Sequence, residues 1–554
     1  MNPVKKTETL LTGKKAHDKV KRGAQLLNSF SNLLPLLFLI VVFMPLMVLI
    51  LDLGIQATGG LVNWQSWLES FYRRWVLLRN SINLAAGTAA AAMFIGLLAA
   101  LRLWPINRKP WLYLRWLVLM FAVISPYMHA LAWNTLFLMF RAILLPLGVE
   151  LTPLGGWSGS WLVQTMAFLP LAVGLALLGL ETVDPLLIEA GRMQHPDGKV
   201  TLKIALPLAA PAILAGFGFI FIFSLLDYSI PSLFGKNIYA LEIFAEHSAS
   251  GRAASAFLVA LPLLLLSIVM VYFSQAPLRE ALVRPPFKVR PWNISPQWPV
   301  YLSILQKVAL IILALHILVP LVGLSAATGS LSALGESVKL GRREIIFSLN
   351  VAVSTAIVAV PLAYPVASVL LNTKMRKGYW WILTALPLAV PAPLIGIGLI
   401  LAWNRPLFGA IYGSAVMPIL AALARFTPFA VIILLAQLKR IDPLLIEAAK
   451  ILKRSKLSML FKIHLPMLAP GMIAAFFFTF ALTLGELGAT LIVAPPGKAT
   501  LTMRLYNLLH YGSTDLVAGL CLIIVFITAL SASFVFVFLI IRESSRNQNN
   551  VRKF

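Results

Sequence analysis

The chain has 554 residues, of which 60% are hydrophobic and only 12% are charged. Soluble domains average about 25% charged residues, so this composition excludes an ordinary soluble protein and indicates a protein embedded in a lipid bilayer. A formal net charge of +26 would suggest nucleic-acid binding in a soluble protein. Here we expect Lys and Arg to lie in cytoplasmic loops, and we expect no nucleic-acid partner. The single cysteine, Cys521, excludes an internal disulfide and a cysteine metal cluster.

Twelve apolar stretches are long enough to cross a bilayer, which takes about 20 helical residues. The first stretch is expected to be retained, because the residues before it are basic and polar and no small-residue cleavage site follows it. The predicted spans are 31–51, 82–103, 112–137, 161–180, 208–230, 254–274, 303–326, 346–371, 380–403, 413–436, 467–487 and 517–541. An even number of spans places both termini on one side, and the distribution of Lys and Arg predicts that this side is the cytoplasm.

An internal repeat is the most informative feature of the sequence. Residues 184–190 and 442–448 both read DPLLIEA. Two longer pairs are KIALPLAAPAILAGF at 203–217 with KIHLPMLAPGMIAAF at 462–476, and SINLAAGT at 81–88 with SLNVAVST at 348–355. Matches in the same order along both halves predict a duplicated architecture.

Each repeat contains six predicted spans, so the second half enters the membrane in the same orientation as the first. This parallel repeat argues against secondary transporters built from inverted repeats. The predicted fold class is an all-α polytopic membrane protein with about 12 transmembrane helices and a pathway between two six-helix repeats. The predicted layout is a basic cytoplasmic segment at 1–30, a first repeat at 31–274, a cytoplasmic linker at 275–302, a second repeat at 303–541 and a cytoplasmic tail at 542–554.

Both copies of DPLLIEA fall in a predicted cytoplasmic loop between the fourth and fifth spans of their half. Asp184 with Pro185, and Asp442 with Pro443, form the pattern of an N-cap residue followed by proline at the first helical position. The amphipathic helix that follows is too short to be stable alone. It could pack against its own membrane domain or in a groove of another protein, and the residue pattern leaves both alternatives open.

These loops resemble the signature loop of binding-protein-dependent ABC importer permeases, in which Glu-Ala-Ala precedes Leu-Pro at a set distance. The second copy has the family spacing, and the first is one residue shorter. The family's usual glycine, six positions after the Glu, is replaced by His195 and Lys453. The matching residues are Glu447, Ala448, Ala449, Leu465 and Pro466 in the second copy, and Glu189, Ala190, Gly191, Leu206 and Pro207 in the first.

The resemblance implies the type I ABC importer permease fold in a bacterial inner membrane. It also implies that each loop is a coupling helix docked in a cytoplasmic ATPase, and that a periplasmic binding protein delivers the solute. With one ATPase per loop, we expect two copies of the ATPase. The chain itself is not expected to be an enzyme, because no Gly-Lys pair is followed by the Ser or Thr of a phosphate-binding loop. We expect no cofactor and no metal site.

The sequence indicates the class of transporter more specifically than it indicates the transported solute. The fused layout and the stretch at 484–512 are most similar to ferric-iron importer permeases, so ferric iron is the favoured solute. Thiamine permeases share the fused layout, and related branches carry polyamines, phosphonates or oxyanions. The alternatives from other classes are a gradient-driven secondary transporter, which should have more membrane-embedded charges, and a membrane scaffold that transports nothing.

Three ionisable residues are candidates for the pathway, because charges within a membrane are costly and so mark function. Asp227 and Glu486 occupy equivalent positions at the predicted outer ends of spans 5 and 11. Together they would suit a cation, whereas the alternative is that both are solvated at the membrane interface. Arg425, in the middle of span 10, is expected to form a structural ion pair.

Overall fold

The computed structural model describes residues 35–59, 71–104, 114–115, 117–118, 124–150, 152–283, 296–371, 377–441, 465–511 and 514–551, with 444, 451 and 461. Within these ranges the chain forms helices and turns and contains no β-strand. Helices are expected in hydrocarbon, where each backbone N–H and C=O must be bonded within the protein.

Eight principal helices form the first half. They are α1 (Pro35–Thr58), α2 (Phe71–Leu103), α3 (Pro126–Leu144), α4 (Gly156–Leu180), α5 (Pro185–Arg192), α6 (Leu206–Leu226), α7 (Tyr239–Ser250) and α8 (Ala253–Val283). Nine follow in the second half: α9 (Val300–Thr328), α10 (Leu331–Leu340), α11 (Arg342–Leu371), α12 (Lys377–Ala385), α13 (Ala392–Trp403), α14 (Val416–Leu438), α15 (Leu465–Leu484), α16 (Leu501–Tyr511) and α17 (Thr514–Val551).

The predicted all-α membrane fold with about twelve spans is confirmed. In the described part of the chain, 11 helices are long and apolar enough to cross a membrane, and one sharply bent pair raises the number to 12. Helices α8 and α17 extend into the regions predicted as linker and tail.

The third span of each half differs from its prediction, because a proline interrupts it. In the second half, Gly378–Ala389 and Ala392–Trp403 meet at 96° instead of forming one straight span over 380–403. In the first half, α3 begins only at Pro126, inside the predicted span 112–137. The residues before the prolines, Ser125 and Val390, are extended, with ψ angles of 137° and 123°. Steric conflict with the proline ring disfavours a helical conformation there.

The two halves repeat the same internal packing. Helix α2 packs against α4 and α6, and α11 packs in the same way against α14 and α15. A repeated hydrogen bond accompanies this packing: the Ser81 hydroxyl accepts from the Tyr239 N–H at 2.8 Å, and the Ser348 hydroxyl accepts from the Leu501 N–H at 2.7 Å. The duplicated serines therefore fix the first turns of α7 and α16 to the neighbouring spans.

The first span of each half packs against the other half. Phe38 and Val42 of α1 belong to a buried cluster with Val360 of α11 and Leu434 of α14. Conversely, α9, which opens the second half, packs against α2 and α3. The halves are therefore interlocked rather than simply apposed.

Two glycines permit close backbone approach at these exchanged contacts. A Cβ atom added to Gly398 of α13 would lie 2.2 Å from the Pro45 carbonyl oxygen of α1. A Cβ atom added to Gly323 of α9 would lie 2.7 Å from the Ala132 carbonyl oxygen of α3. Backbone atoms cannot move aside as a flexible side chain can, so any larger residue must push the helices apart.

Gly398→Ala is expected to lower stability by about 1–3 kcal/mol, the usual cost of overpacking a tight core. The thermal unfolding midpoint of the purified chain in lipid nanodiscs measures this effect. Gly409→Ala is the matched control, because a Cβ atom at Gly409 meets nothing within 4 Å. Equal midpoints for the two variants would contradict the proposed close contact between α1 and α13.

Candidate functional site

A cavity of about 670 Å³ lies between the two halves. Helices α4 and α6 of the first half and α14, α15 and α17 of the second contribute to its wall. Most of the wall is apolar, and Phe223 of α6 faces Phe429 of α14 with a ring-centroid separation of 6.2 Å. All three predicted pathway residues, Asp227, Arg425 and Glu486, line this cavity.

Glu486 stands just beyond the end of α15 and stabilises the turn that follows. Its carboxylate accepts hydrogen bonds from the backbone N–H groups of Ala489 and Thr490, at 2.8 and 2.9 Å. The same carboxylate pairs with the Arg425 guanidinium at 2.5 Å. The Glu486 side chain is 0% exposed, so these contacts occupy it fully.

Arg425 remains accessible from the cavity. Its side chain is 29% exposed although it pairs with Glu486, and its guanidinium carbon lies 5.2 Å from the Phe426 ring centroid. A guanidinium has five N–H donors in a planar fork, more than one carboxylate oxygen can use. The structural ion pair expected for Arg425 therefore leaves it able to bind a second acceptor.

Asp227 occupies the corresponding position in the first half, just beyond the end of α6. Its carboxylate accepts from the Gln164 side-chain amide at 3.0 Å, and from the Ser229 N–H and hydroxyl at 3.1 and 2.5 Å. Among the described residues, no cationic side chain lies within ion-pair distance of Asp227. The two equivalent carboxylates thus have different partners. Glu486 is already paired with Arg425, so the two carboxylates are not both available to a cation, as the sequence had suggested.

Gln164 is a site residue that the sequence analysis missed. It lies in α4 and is fully buried, and its carbonyl oxygen accepts from the Ser224 hydroxyl at 2.7 Å while its amide donates to Asp227. Helices α4 and α14 both contain a Phe-x-Pro pattern, and aligning the two patterns makes Ala167 the counterpart of Arg425. Gln164 therefore lies one helical turn before the position that is equivalent to the arginine. A polar amide in the middle of an apolar span was the available signal.

The first cytoplasmic loop forms the helix predicted by its N-cap. The Asp184 carboxylate accepts from the Leu186 N–H at 2.9 Å, and Pro185 opens α5. Ile188 is buried against its own membrane domain, whereas Leu186 and Met193 are 70% and 89% exposed. One face of α5 is therefore packed and the other presents apolar side chains to the solvent.

Gly191 replaces the second alanine of the resembled motif for a steric reason. A Cβ atom there would lie 2.7 Å from Cδ1 of Ile204 and 3.2 Å from Cγ1 of Val200. Ala190, beside it, is exposed. The predicted Leu206 and Pro207 open α6 directly after this contact.

The first loop is also bound to the segment that joins the halves. The Arg192 guanidinium pairs with the Asp197 carboxylate at 2.5 Å, and the same carboxylate accepts from the Gln297 N–H at 2.5 Å. Gly198 approaches Pro299 closely, since an added Cβ atom would lie 3.0 Å from the proline ring. The loop of the first half and the beginning of the second are thus mechanically connected.

Most of the second loop lies outside the described residues, including Asp442, Pro443, Glu447, Ala448 and Ala449. Leu465 and Pro466 are described and begin α15. Next to them, the Gln437 amide of α14 donates to the Met467 carbonyl at 2.9 Å.

Comparison with known proteins defines the family. The family described as "binding-protein-dependent transport system inner membrane component" matches residues 359–545, most of the second half. The molybdenum transport system permease ModB of Haemophilus influenzae is 31% identical over 203 residues, which covers 33% of this chain and 87% of ModB. The chain belongs to the family of binding-protein-dependent transport permeases.

Two other relatives show how widely the solutes of similar proteins vary. A Salmonella typhimurium protein described as a 2-aminoethylphosphonate transport system permease, PhnV, is 31% identical over 146 residues, 26% of this chain and 54% of PhnV. The putrescine transport system permease PotI of Escherichia coli K12 is 28% identical over 176 residues, 30% of this chain and 60% of PotI. The chain thus spans about half the length of the PhnV relatives that it matches.

Glu486→Gln is expected to destabilise the protein by roughly 3 kcal/mol, because it leaves Arg425 without its buried counter-charge. Asp227→Asn is the matched control: it makes the same change at a carboxylate that has no cationic partner among the described residues, and it should cost less. Thermal unfolding in nanodiscs measures both effects.

The double variant Arg425→Gln with Glu486→Gln removes both charges together. It should regain most of the stability lost in Glu486→Gln, because no unpaired charge remains. If the double variant is as unstable as the single one, the ion pair is not what the Glu486 carboxylate stabilises.

Proposed function

We propose that this chain is the membrane-spanning permease of an ATP-driven importer, with both halves of the pathway in one polypeptide. The proposed cycle is alternating access: ATP binding in separate cytoplasmic subunits moves the loops and rocks one half against the other. The exposed apolar face of α5, beside the exposed Glu189, carries the proposal. A short helix that is packed on one side and apolar on the other suits docking into a groove of a partner.

The connection from that surface to the cavity is direct. Helix α5 lies between α4 and α6 in the chain, and both of these helices line the cavity. A force applied at α5 would therefore be transmitted through two helices that are buried along much of their length. The equivalent second loop, 442–464, would act on α14 and α15 in the same way.

The proposed partners are two copies of a cytoplasmic ATPase, one per loop, and a periplasmic binding protein that delivers the solute. The proposed location is a bacterial inner membrane with both termini in the cytoplasm. Coupling is assigned to Asp184, Pro185, Glu189, Ala190, Gly191, Leu206 and Pro207, and to Asp442, Pro443, Glu447, Ala448, Ala449, Leu465 and Pro466. The layout of two six-span repeats, at 31–274 and 303–541, is part of the same proposal.

The solute is a separate question. Ferric iron stays a prediction that rests on the fused layout, while the named relatives point to molybdenum, 2-aminoethylphosphonate and putrescine as further candidates. Among the described residues, no group of three or more His, Cys, Asp or Glu side chains is placed to hold a metal ion.

Co-purification with the ATPase co-expressed from the same source tests the proposal. Glu189→Arg combined with Glu447→Arg should reduce the co-purified ATPase at least about tenfold, because reversing a charge at an interface hot spot costs 2 kcal/mol or more. Glu150→Arg is the matched control, because Glu150 is exposed in the connection after α3.

Full ATPase retention in the double variant would contradict the proposed docking surface. Uptake that follows an ion gradient in vesicles without ATP would instead favour the secondary-transporter alternative.

A further inference from the structure

Two side chains of opposite charge face the cavity from opposite halves of the protein. Arg425 projects from α14 and is 29% exposed, and Asp227 follows α6 and is half-buried. Glu486, the third charged residue of the lining, is 0% exposed and bonded to Arg425, Ala489 and Thr490. A solute in the cavity therefore meets one cation and one anion.

The Asp227 carboxylate has no cationic partner within ion-pair distance in the part of the chain that the structure describes. Its partners among the described residues are neutral donors, the Gln164 amide and the Ser229 N–H and hydroxyl. Burying a carboxylate is costly unless it is paired or lines a watery cavity, and ionisable residues at such positions in membrane proteins mark ion and substrate pathways. A cationic group on the solute would supply the missing partner.

Arg425 provides the complementary contact. Glu486 fixes the guanidinium in place, and the remaining N–H donors suit the oxygens of a carboxylate, phosphate or phosphonate. Low-dielectric walls focus such fields, and the wall of this cavity is mostly apolar.

The charged groups belong to one site. Tyr228, which follows Asp227 in the chain, is buried and lines the same cavity as Asp227, Arg425 and Glu486. With all three ionised, the site holds two negative charges and one positive charge. A purely anionic solute would be attracted by an already paired arginine and repelled by Asp227, whereas a purely cationic solute would gain only the Asp227 contact.

We propose that the cavity selects small zwitterionic solutes, with a cationic group at Asp227 and an anionic group at Arg425. The inference rests on the proposed permease function and adds to it the chemical class of the solute. It predicts the order of affinity: a zwitterion first, then a cation, then an anion.

Direct binding to the full chain in lipid nanodiscs tests this order without any partner protein. Three probes share a two-carbon framework: 2-aminoethylphosphonate with both charges, ethylamine with the cation alone, and ethylphosphonate with the anion alone. Ligand-observed NMR titration should give 2-aminoethylphosphonate about tenfold higher affinity than either single-charge probe, because close charge pairs in an interface couple by more than a tenfold change in affinity.

Variants assign each charge to its residue. Asp227→Asn should reduce the affinity for 2-aminoethylphosphonate to that for ethylphosphonate. Arg425→Gln with Glu486→Gln should reduce it to that for ethylamine, without leaving a buried unpaired charge. Asp515→Asn, an exposed carboxylate in the first turn of α17, is the matched control and should change nothing.

The proposal is overturned if 2-aminoethylphosphonate binds the natural sequence no better than the single-charge probes, or if ethylphosphonate binds best. It is also overturned if a folded Asp227→Asn variant keeps the full preference. ATPase co-purification is measured separately, so a chain that binds its ATPase but shows no preference refutes the solute class alone. A chain that shows the preference but binds no ATPase refutes the importer proposal.

Discussion

In a hydrocarbon environment every backbone polar group must find its partner within the protein, so a helix can be interrupted only where other parts of the protein compensate. Four interruptions in this chain all border the central cavity: the breaks before Pro126 and Ala392, and the ends of α6 and α15. At the last two, an acidic side chain accepts from N–H groups at the start of the short helix that follows, Ser229–Leu233 or Thr490–Val493. Asp227 accepts from Ser229, and Glu486 accepts from Ala489 and Thr490.

The same arrangement explains why two carboxylates lie beside an apolar cavity. Each carboxylate has a local structural role in the turn after its helix, and each then requires a partner across the helix pair. The second half supplies Arg425, and the first half supplies the neutral Gln164. The two halves place a carboxylate at equivalent positions, and the different neighbours on α4 and α14 make their electrostatics unequal. The cytoplasmic loop of the first half is also connected to the start of the second half, because the Asp197 carboxylate accepts a hydrogen bond from the Gln297 N–H.

The sequence was sufficient for the parts of the fold that depend on composition. Apolar run length predicts the spans, and the DPLLIEA pattern predicts helix α5 of the first loop and its Asp184 N-cap. The bend at Pro391 was visible as a proline, but proline is tolerated within several other spans, including α4 at Pro170. The sequence alone therefore could not show whether Pro391 bends its span or lies within a continuous helix, as Pro170 does.

Other features depend on contacts between distant segments, which no local pattern encodes. The exchange of α1 and α9 between halves includes close backbone contacts at Gly398 and Gly323. A glycine in an apolar span has no distinctive sequence signature. The sequence predicted that Arg425 forms an ion pair, because a buried arginine needs a counter-charge, but it did not identify Glu486 as the partner. The role of Gln164 could not be expected, because its partner lies on another helix and its counterpart in the second half is shifted by one turn.

The central claim is that the cavity between the halves is the transport pathway and must change shape during each cycle. Cross-linking across it tests this claim most directly. Phe223 and Phe429 face each other from the two halves, with ring centroids 6.2 Å apart, and the single native cysteine, Cys521, is buried. Cysteines at both positions in a Cys521→Ala background, joined by a short cleavable bis-maleimide, should stop ATP-driven uptake in proteoliposomes. Cleavage of the linker should restore the uptake, and each single-cysteine variant should remain active. Unchanged uptake by fully cross-linked protein would contradict the account.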